Sequence, residues 1–202
     1  MAALKILEDG HPALKTACKR VGRVTDEIRK LAEDMAETMF EYAGVGLAAN
    51  QVGGNVRMIV VYDENEGHKV YINPRIVKHS REVEYSDEGC LSFPRMFGTV
   101  GRAMDVIVTA QDLDMKKVKV EVSGFLARVF QHETDHLNGI TFVERAEEGT
   151  VRRLPTEEEI AEKEKEEAAA AAAAGEAGND GIEKTAHGSP ESQEHTPTTE
   201  TT

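Results

Sequence analysis

The chain has 202 residues, 40% of them hydrophobic, and a formal net charge of −13. That suits one domain with a real core plus an appendage, and nothing in it is basic enough to suggest a nucleic-acid-binding surface by charge alone. Two cysteines are too few for a disulfide scaffold, no apolar run reaches the roughly 18 residues of a membrane span, and the N-terminus lacks a secretory pattern, so a bacterial cytoplasmic protein is the default expectation.

Residues 1–24 read as an irregular arm with turn chemistry at Asp9-Gly10-His11-Pro12. Thr25 is the N-cap expected for a first helix, with Asp26 and Glu27 in the first turn and apolar residues at helical spacing from Ile28 to Met39. Gly44 is the expected stop. After a glycine-rich stretch, Val56–Tyr62 and Val70–Val77 read as strands, as do Val106–Ala110 and Val118–Val122, with a turn at Asp112-Leu113-Asp114 between the last two. A second helix is expected over Phe125–Asn138, closed by Gly139. Helix, strands, then helix imply an α+β fold with antiparallel sheets, not alternating βαβ units.

The acidity is concentrated at the end of the chain. From Pro155 onward there are 13 Asp/Glu against 3 Lys/Arg, which leaves 24 acids and 21 bases before it. Two segments are therefore expected: a folded domain over 1–154 and an acidic, Ala-rich, flexible extension over 155–202, either solubilising or a docking segment. Thr156 and Glu159 have the spacing of a capping box, and seven alanines follow at 168–174. Disorder is expected over 175–202.

The most informative run is Gln131-His132-Glu133-Thr134-Asp135-His136. On a helix, a spacing of four puts His132 and His136 on one face, where both imidazoles can hold one metal ion. The intervening Glu133 can then act as general base and later as general acid. Two helix histidines alone also suit a polar surface, but Cys90 in Glu88-Gly89-Cys90-Leu91-Ser92 adds a thiolate. A thiolate, two imidazoles and an open position make a plausible catalytic site. The metzincin protease pattern would place a third histidine at position 142, which is Phe142.

Three segments in order, Gly44-Val45-Gly46-Leu47-Ala48-Ala49-Asn50-Gln51, Glu88-Gly89-Cys90-Leu91-Ser92 and Gln131 to Leu137, resemble the peptide deformylase family over about residues 4–147. The resemblance implies antiparallel sheets around a central helix bearing the histidines. It implies a metal held by Cys90, His132 and His136 with a fourth position for water. That metal is usually Fe2+, with Zn2+, Ni2+ or Co2+ as substitutes. It gives Gln51 and the Leu91 backbone N–H the role of oxyanion donors, and Gly46 that of pairing with the substrate backbone. Val45, Phe125 and Val129 would form the methionine pocket. Glu88 and Arg102 would support the ligands, unless they form a plain surface salt bridge. Arg128 stands where many bacterial members carry an aliphatic residue, and it either rims the pocket or points to solvent.

The implied reaction removes formyl from the N-terminal formylmethionine of nascent polypeptides, near the ribosome exit, without membrane or direct nucleic-acid contact. The alternatives are a related metallohydrolase acting on another N-acyl or peptide bond, and a non-catalytic descendant. The latter would be expected to have lost Glu133, Gln51 or a ligand, and all are present.

Overall fold

The computed structural model describes residues 3–176. The chain divides into two compact units, Met1–Leu154 and Pro155–Thr202. In the first, a single turn of 3-10 helix at Pro12–Lys15 precedes helix α1, Asp26–Glu41. Strands β1 (Gly46–Ala48), β2 (Met58–Asp63), β3 (Gly67–His79), β4 (Val83–Cys90), β5 (Phe93–Ala103), β6 (Asp105–Gln111) and β7 (Lys117–Ser123) follow. Helix α2 (Gly124–Leu137), short helix α3 (Phe142–Arg145) and strand β8 (Arg152–Arg153) complete the unit. The fold is α+β, and both sheets are antiparallel: five strands in the order β1-β2-β3-β6-β7, and three in the order β4-β5-β8.

The apolar run in β2 has a direct cause. Met58 and Val60 join a core with Met35 and Met39 of α1, whereas Ile59 and Val61 join one with Ala127, Phe130 and Leu137 of α2. Successive side chains of a strand point to opposite faces, so both faces of this strand are buried and no polar alternation is left. Phe130 is fully buried and packs edge-on against Tyr71 of β3, with ring centroids 5.0 Å apart. Truncating such a side chain to alanine costs about 3–5 kcal/mol, because a cavity is left behind. The histidine-bearing helix is thus seated on the sheet by its apolar face.

The helix ends refine the sequence expectations. Thr25 caps α1 by accepting from the Ile28 N–H. The left-handed residue that ends α1 is Ala43 (φ 51°), not Gly44, whose N–H instead reaches back to the Met39 carbonyl at 2.8 Å. Helix α2 begins at Gly124, one residue earlier than expected. Gly139 follows its end at φ +75°, where a Cβ would lie 2.6 Å from the Lys15 carbonyl oxygen. Only glycine lets the two backbone segments approach so closely.

The second unit contains helix α4, Glu157–Glu176. Its N-terminus carries the expected reciprocal cap: Glu159 N–H donates to Thr156 Oγ1 at 3.0 Å and Thr156 N–H to Glu159 Oε2 at 2.6 Å. Residues 175 and 176, expected to be disordered, belong to this helix, and the remainder of that expectation, 177–202, lies outside the described residues. No helix of the described residues is long and apolar enough to cross a membrane.

Candidate metal centre

His132 and His136 sit one turn apart on α2, their ring centroids 4.9 Å apart. Cys90 ends β4 just after a register shift: Gly89 pairs with Phe97, but Cys90 pairs with Phe93. Such a bulge bends the strand and re-aims its side chain. Here it sets Cys90 Sγ 3.2 Å from His136 Nε2, which is itself 3.2 Å from His132 Nε2. The three ligand atoms lie within 4.8 Å of one another. A tetrahedral ion with bonds of about 2.0–2.1 Å to nitrogen and about 2.3 Å to sulfur would space its ligand atoms by roughly 3.3–3.6 Å. The donor set and its spacing therefore fit one divalent ion.

Glu88 fixes the rotation of His132. Its Oε2 lies 3.0 Å from His132 Nδ1, which leaves Nε2 to face the cluster. Arg102 grips Glu88 through two donors, Nε to Oε1 at 2.9 Å and Nη2 to Oε2 at 3.0 Å. The pair is buried, which removes the surface-salt-bridge reading. Burial alone would raise the Glu88 carboxyl, but Arg102 and His132 outweigh it and bring it down to about 2. Burial opposes charge on both imidazoles. At His132 that effect is overcome by Cys90 and Glu88, and the net shift is well upward. At His136 burial is reinforced by His132, and the shift is well downward.

Glu133 is 4% exposed, and its Oε2 has no hydrogen-bond partner among the described residues. Burial pushes its carboxyl up to about 7. Gly46 presses against it so closely that a Cβ there would meet Oε1 at 2.5 Å. Gln51 is 2% exposed. Its Oε1 accepts from the Ala48 N–H at 2.8 Å, and its Nε2 donates to Ser92 Oγ at 3.2 Å and to Cys90 Sγ at 3.4 Å.

A cavity of about 450 Å³ brings together Val45, Gly46, Gln51, Glu88, Cys90, Leu91, Phe125, Val129, His132 and Glu133. Val129 is buried, while Val45 and Phe125 are exposed at its edge, Phe125 to 66%. His136 and Arg102 stand behind the wall and do not line it. Arg128 also lines the cavity. It is buried and does not point to solvent.

Several supporting residues carry no signature of their own in the sequence. Asn50 Nδ2 donates to the His136 carbonyl at 2.6 Å and pins the end of α2. Asp135 bridges Arg102 and Arg145. Both lie inside the recognised segments, so adjacency to Gln51 and to His136 is the only signal they carry. Glu144 caps α3 through the Thr141 N–H and pairs with Lys15, and Phe142 stacks on His132. Neither completes a protease-type ligand set.

Residues 3–152 match the family model described as polypeptide deformylase. The chain belongs to the polypeptide deformylase family. It is 48% identical over 147 residues to a peptide deformylase of Carboxydothermus hydrogenoformans, covering 73% of this chain and 95% of that protein. Its structure is similar to the crystal structure of peptide deformylase from Thermotoga maritima, with TM-score 0.70 and 40% identity over 73% of this chain and 99% of that one. It is also similar to a peptide deformylase from Synechococcus elongatus in complex with actinonin, with TM-score 0.69 and 40% identity, covering 72% of this chain and 80% of that one. As a deformylase, the protein is a metal-dependent hydrolase that removes the formyl group from the N-terminal formylmethionine of new polypeptides and releases formate. No observation favours the alternative N-acyl or peptide-bond hydrolase.

Proposed function

We propose that Cys90, His132 and His136 hold the metal ion on which deformylation depends. In the cell this ion is Fe2+, with Zn2+, Ni2+ or Co2+ able to take its place. The observation that carries this reading is the convergence of one thiol and two imidazole nitrogens beside the unpartnered Oε2 of Glu133. When bound, the ion supplies Lewis acidity that lowers the pKa of water at the site.

The chain's own groups do the rest. Glu133 takes a proton from the attacking water as the water oxygen bonds to the formyl carbon. The same carboxyl delivers that proton to the methionyl nitrogen as the C–N bond breaks. Formate and a free methionyl N-terminus leave. Charge developing on the formyl oxygen is met by Gln51 Nε2 and by the Leu91 backbone N–H. The Gln51 role is supported by its Oε1, which is engaged by Ala48 and so turns Nε2 toward Cys90.

Gly46 lies on β1, an edge strand of the larger sheet, where an extended peptide can add by backbone pairing. Val129 forms the floor and Val45 and Phe125 the rim of the methionine pocket. Glu88 and Arg102 orient His132. The substrates are N-formylmethionyl nascent chains near the ribosome exit in the bacterial cytoplasm. Residues 1–154 form the catalytic domain, and 155–202 an acidic extension.

Anaerobic reconstitution with ferrous iron tests the ligand set. The parent is expected to retain one iron per chain through gel filtration, and Cys90→Ser to retain far less. Full retention by Cys90→Ser would contradict the assignment. Gln51→Leu tests the oxyanion role. Its kcat should fall about 10²–10³-fold with KM little changed; a loss confined to KM would contradict it.

A further inference from the structure

Arg128 lies one turn before His132 on α2 and is only 6% exposed. Its Nη1 donates to Glu88 Oε1 at 2.9 Å and to the Val100 carbonyl at 2.8 Å. Its Nη2 donates to the Glu84 carbonyl at 2.8 Å and faces Glu84 Oε2 at 3.4 Å. Glu84 and Glu88 are on β4, the strand that ends at Cys90, and Val100 is on its partner β5. One planar fork therefore spans from the helix that carries His132 and His136 to the strand pair that carries Cys90. Those elements belong to different layers: α2 packs on the five-stranded sheet, whereas β4 and β5 form the smaller one.

Arg128 also completes the surroundings of Glu88. Oε1 accepts from Arg102 Nε and Arg128 Nη1, and Oε2 accepts from Arg102 Nη2 and faces His132 Nδ1. Arg102 and Arg145 already balance the charges of Glu88 and Asp135. A second buried guanidinium carries its own desolvation penalty, so neutralisation does not account for it. What it adds is direction: Oε1 is occupied from two sides, and the carboxylate cannot rotate away from His132 without breaking charge-assisted bonds to both guanidiniums.

We propose that Arg128 is a positioning residue of the metal centre. Its fork sets the separation between Cys90 on β4 and the two histidines on α2, and through Glu88 it holds His132 in its ligating rotation. This rests on the assignment of Cys90, His132 and His136 as ligands. Lysine could supply the charge but not the rigid fork, which reaches acceptors on two strands at once.

Cobalt(II) binding to the full chain tests this, with the parent, Arg128→Met and Arg128→Lys side by side. The parent should show a thiolate-to-cobalt charge-transfer band and the intense visible bands of a four-coordinate site. Arg128→Met leaves Glu88 paired with Arg102, so no buried charge is orphaned. Its cobalt dissociation constant should rise about 10- to 100-fold, the range found when groups supporting a ligand are removed, and its visible bands should shift. Arg128→Lys should fall between the two and provides the same readout if the methionine variant does not fold. An unchanged dissociation constant and spectrum, with thermal stability lowered equally in the metal-free and cobalt forms, would reduce Arg128 to a brace of the fold and overturn the proposal. Full parental affinity in Arg128→Lys would overturn the fork argument. A parent lacking the charge-transfer band would remove the ligand assignment itself, and the proposal with it.

Discussion

Gly46 and Glu133 are in contact across two elements: the α-carbon of one lies so close to the carboxylate of the other that an added Cβ would sit 2.5 Å from Oε1 and 2.9 Å from Cδ. Strand β1 thereby sets where the Glu133 side chain can be. The glycine is required by its neighbour, since its φ is not in the left-handed region.

Gly46→Ala is therefore expected to displace the Glu133 carboxylate while leaving Cys90, His132 and His136 in place. A displacement near 1 Å at a reacting group lowers rates by about 10²-fold. Formate release should fall by that order, with metal content at the parental level. A variant with parental kcat would show that the carboxylate position is not critical.

Removal of the metal should change thiol chemistry in a residue-specific way. Cys90 lines the cavity, whereas Cys18 is 8% exposed and burial raises its thiol above the ordinary value. The thiolate is the reactive form, so Cys18 is expected to react slowly. Titration with a thiol reagent after chelation should give one fast and one slow equivalent per chain, and metal should suppress the fast one. Cys90→Ser should remove the fast phase; loss of the slow phase instead would contradict the assignment.

Alkaline titration should report on the seat of the catalytic helix. Burial, with help from Glu66 and Asp63, pushes the Tyr71 phenol up to about 12, from an ordinary value of 10.0. Between these values the unfolded chain releases this proton and the folded chain keeps it. The stability that Tyr71 contributes is thus present below about pH 10 and lost as pH rises through about 12. Because Tyr71 packs on Phe130 of α2, its ionisation loosens the helix that bears His132 and His136. Absorbance titration should show a late tyrosine component that is absent in Tyr71→Phe. An unchanged titration curve in that variant would contradict the burial argument.

The parts of the fold legible in the sequence are those where one physical signal dominates. Thr25, with acids behind it and apolar residues at helical spacing, marks α1, and the alternating valines mark β7. The sequence before Cys90 is strand-like, but no bounds for strands β4 and β5 can be read from it. Most of β4 faces solvent from Val83 to Asp87, so it lacks alternation, and β5 contains two glycines and a proline. Strand β1 is three residues inside a glycine run, too short for any period. The ligand candidates were legible because His-x-x-x-His spacing becomes a shared helix face. The network of Arg128, Asp135 and Asn50 was not, because its partners lie 10 to 86 positions apart along the chain and only the fold unites them.

The measurement that bears most directly on the account is formate release from a formyl-Met-Ala-Ser peptide, using ferrous protein prepared without oxygen, beside Glu133→Ala at equal metal content. The account predicts rapid release by the parent and a loss of several orders of magnitude in the variant. Parental rates in Glu133→Ala would contradict the assignment of Glu133 as the proton carrier, and with it the mechanism built on this site.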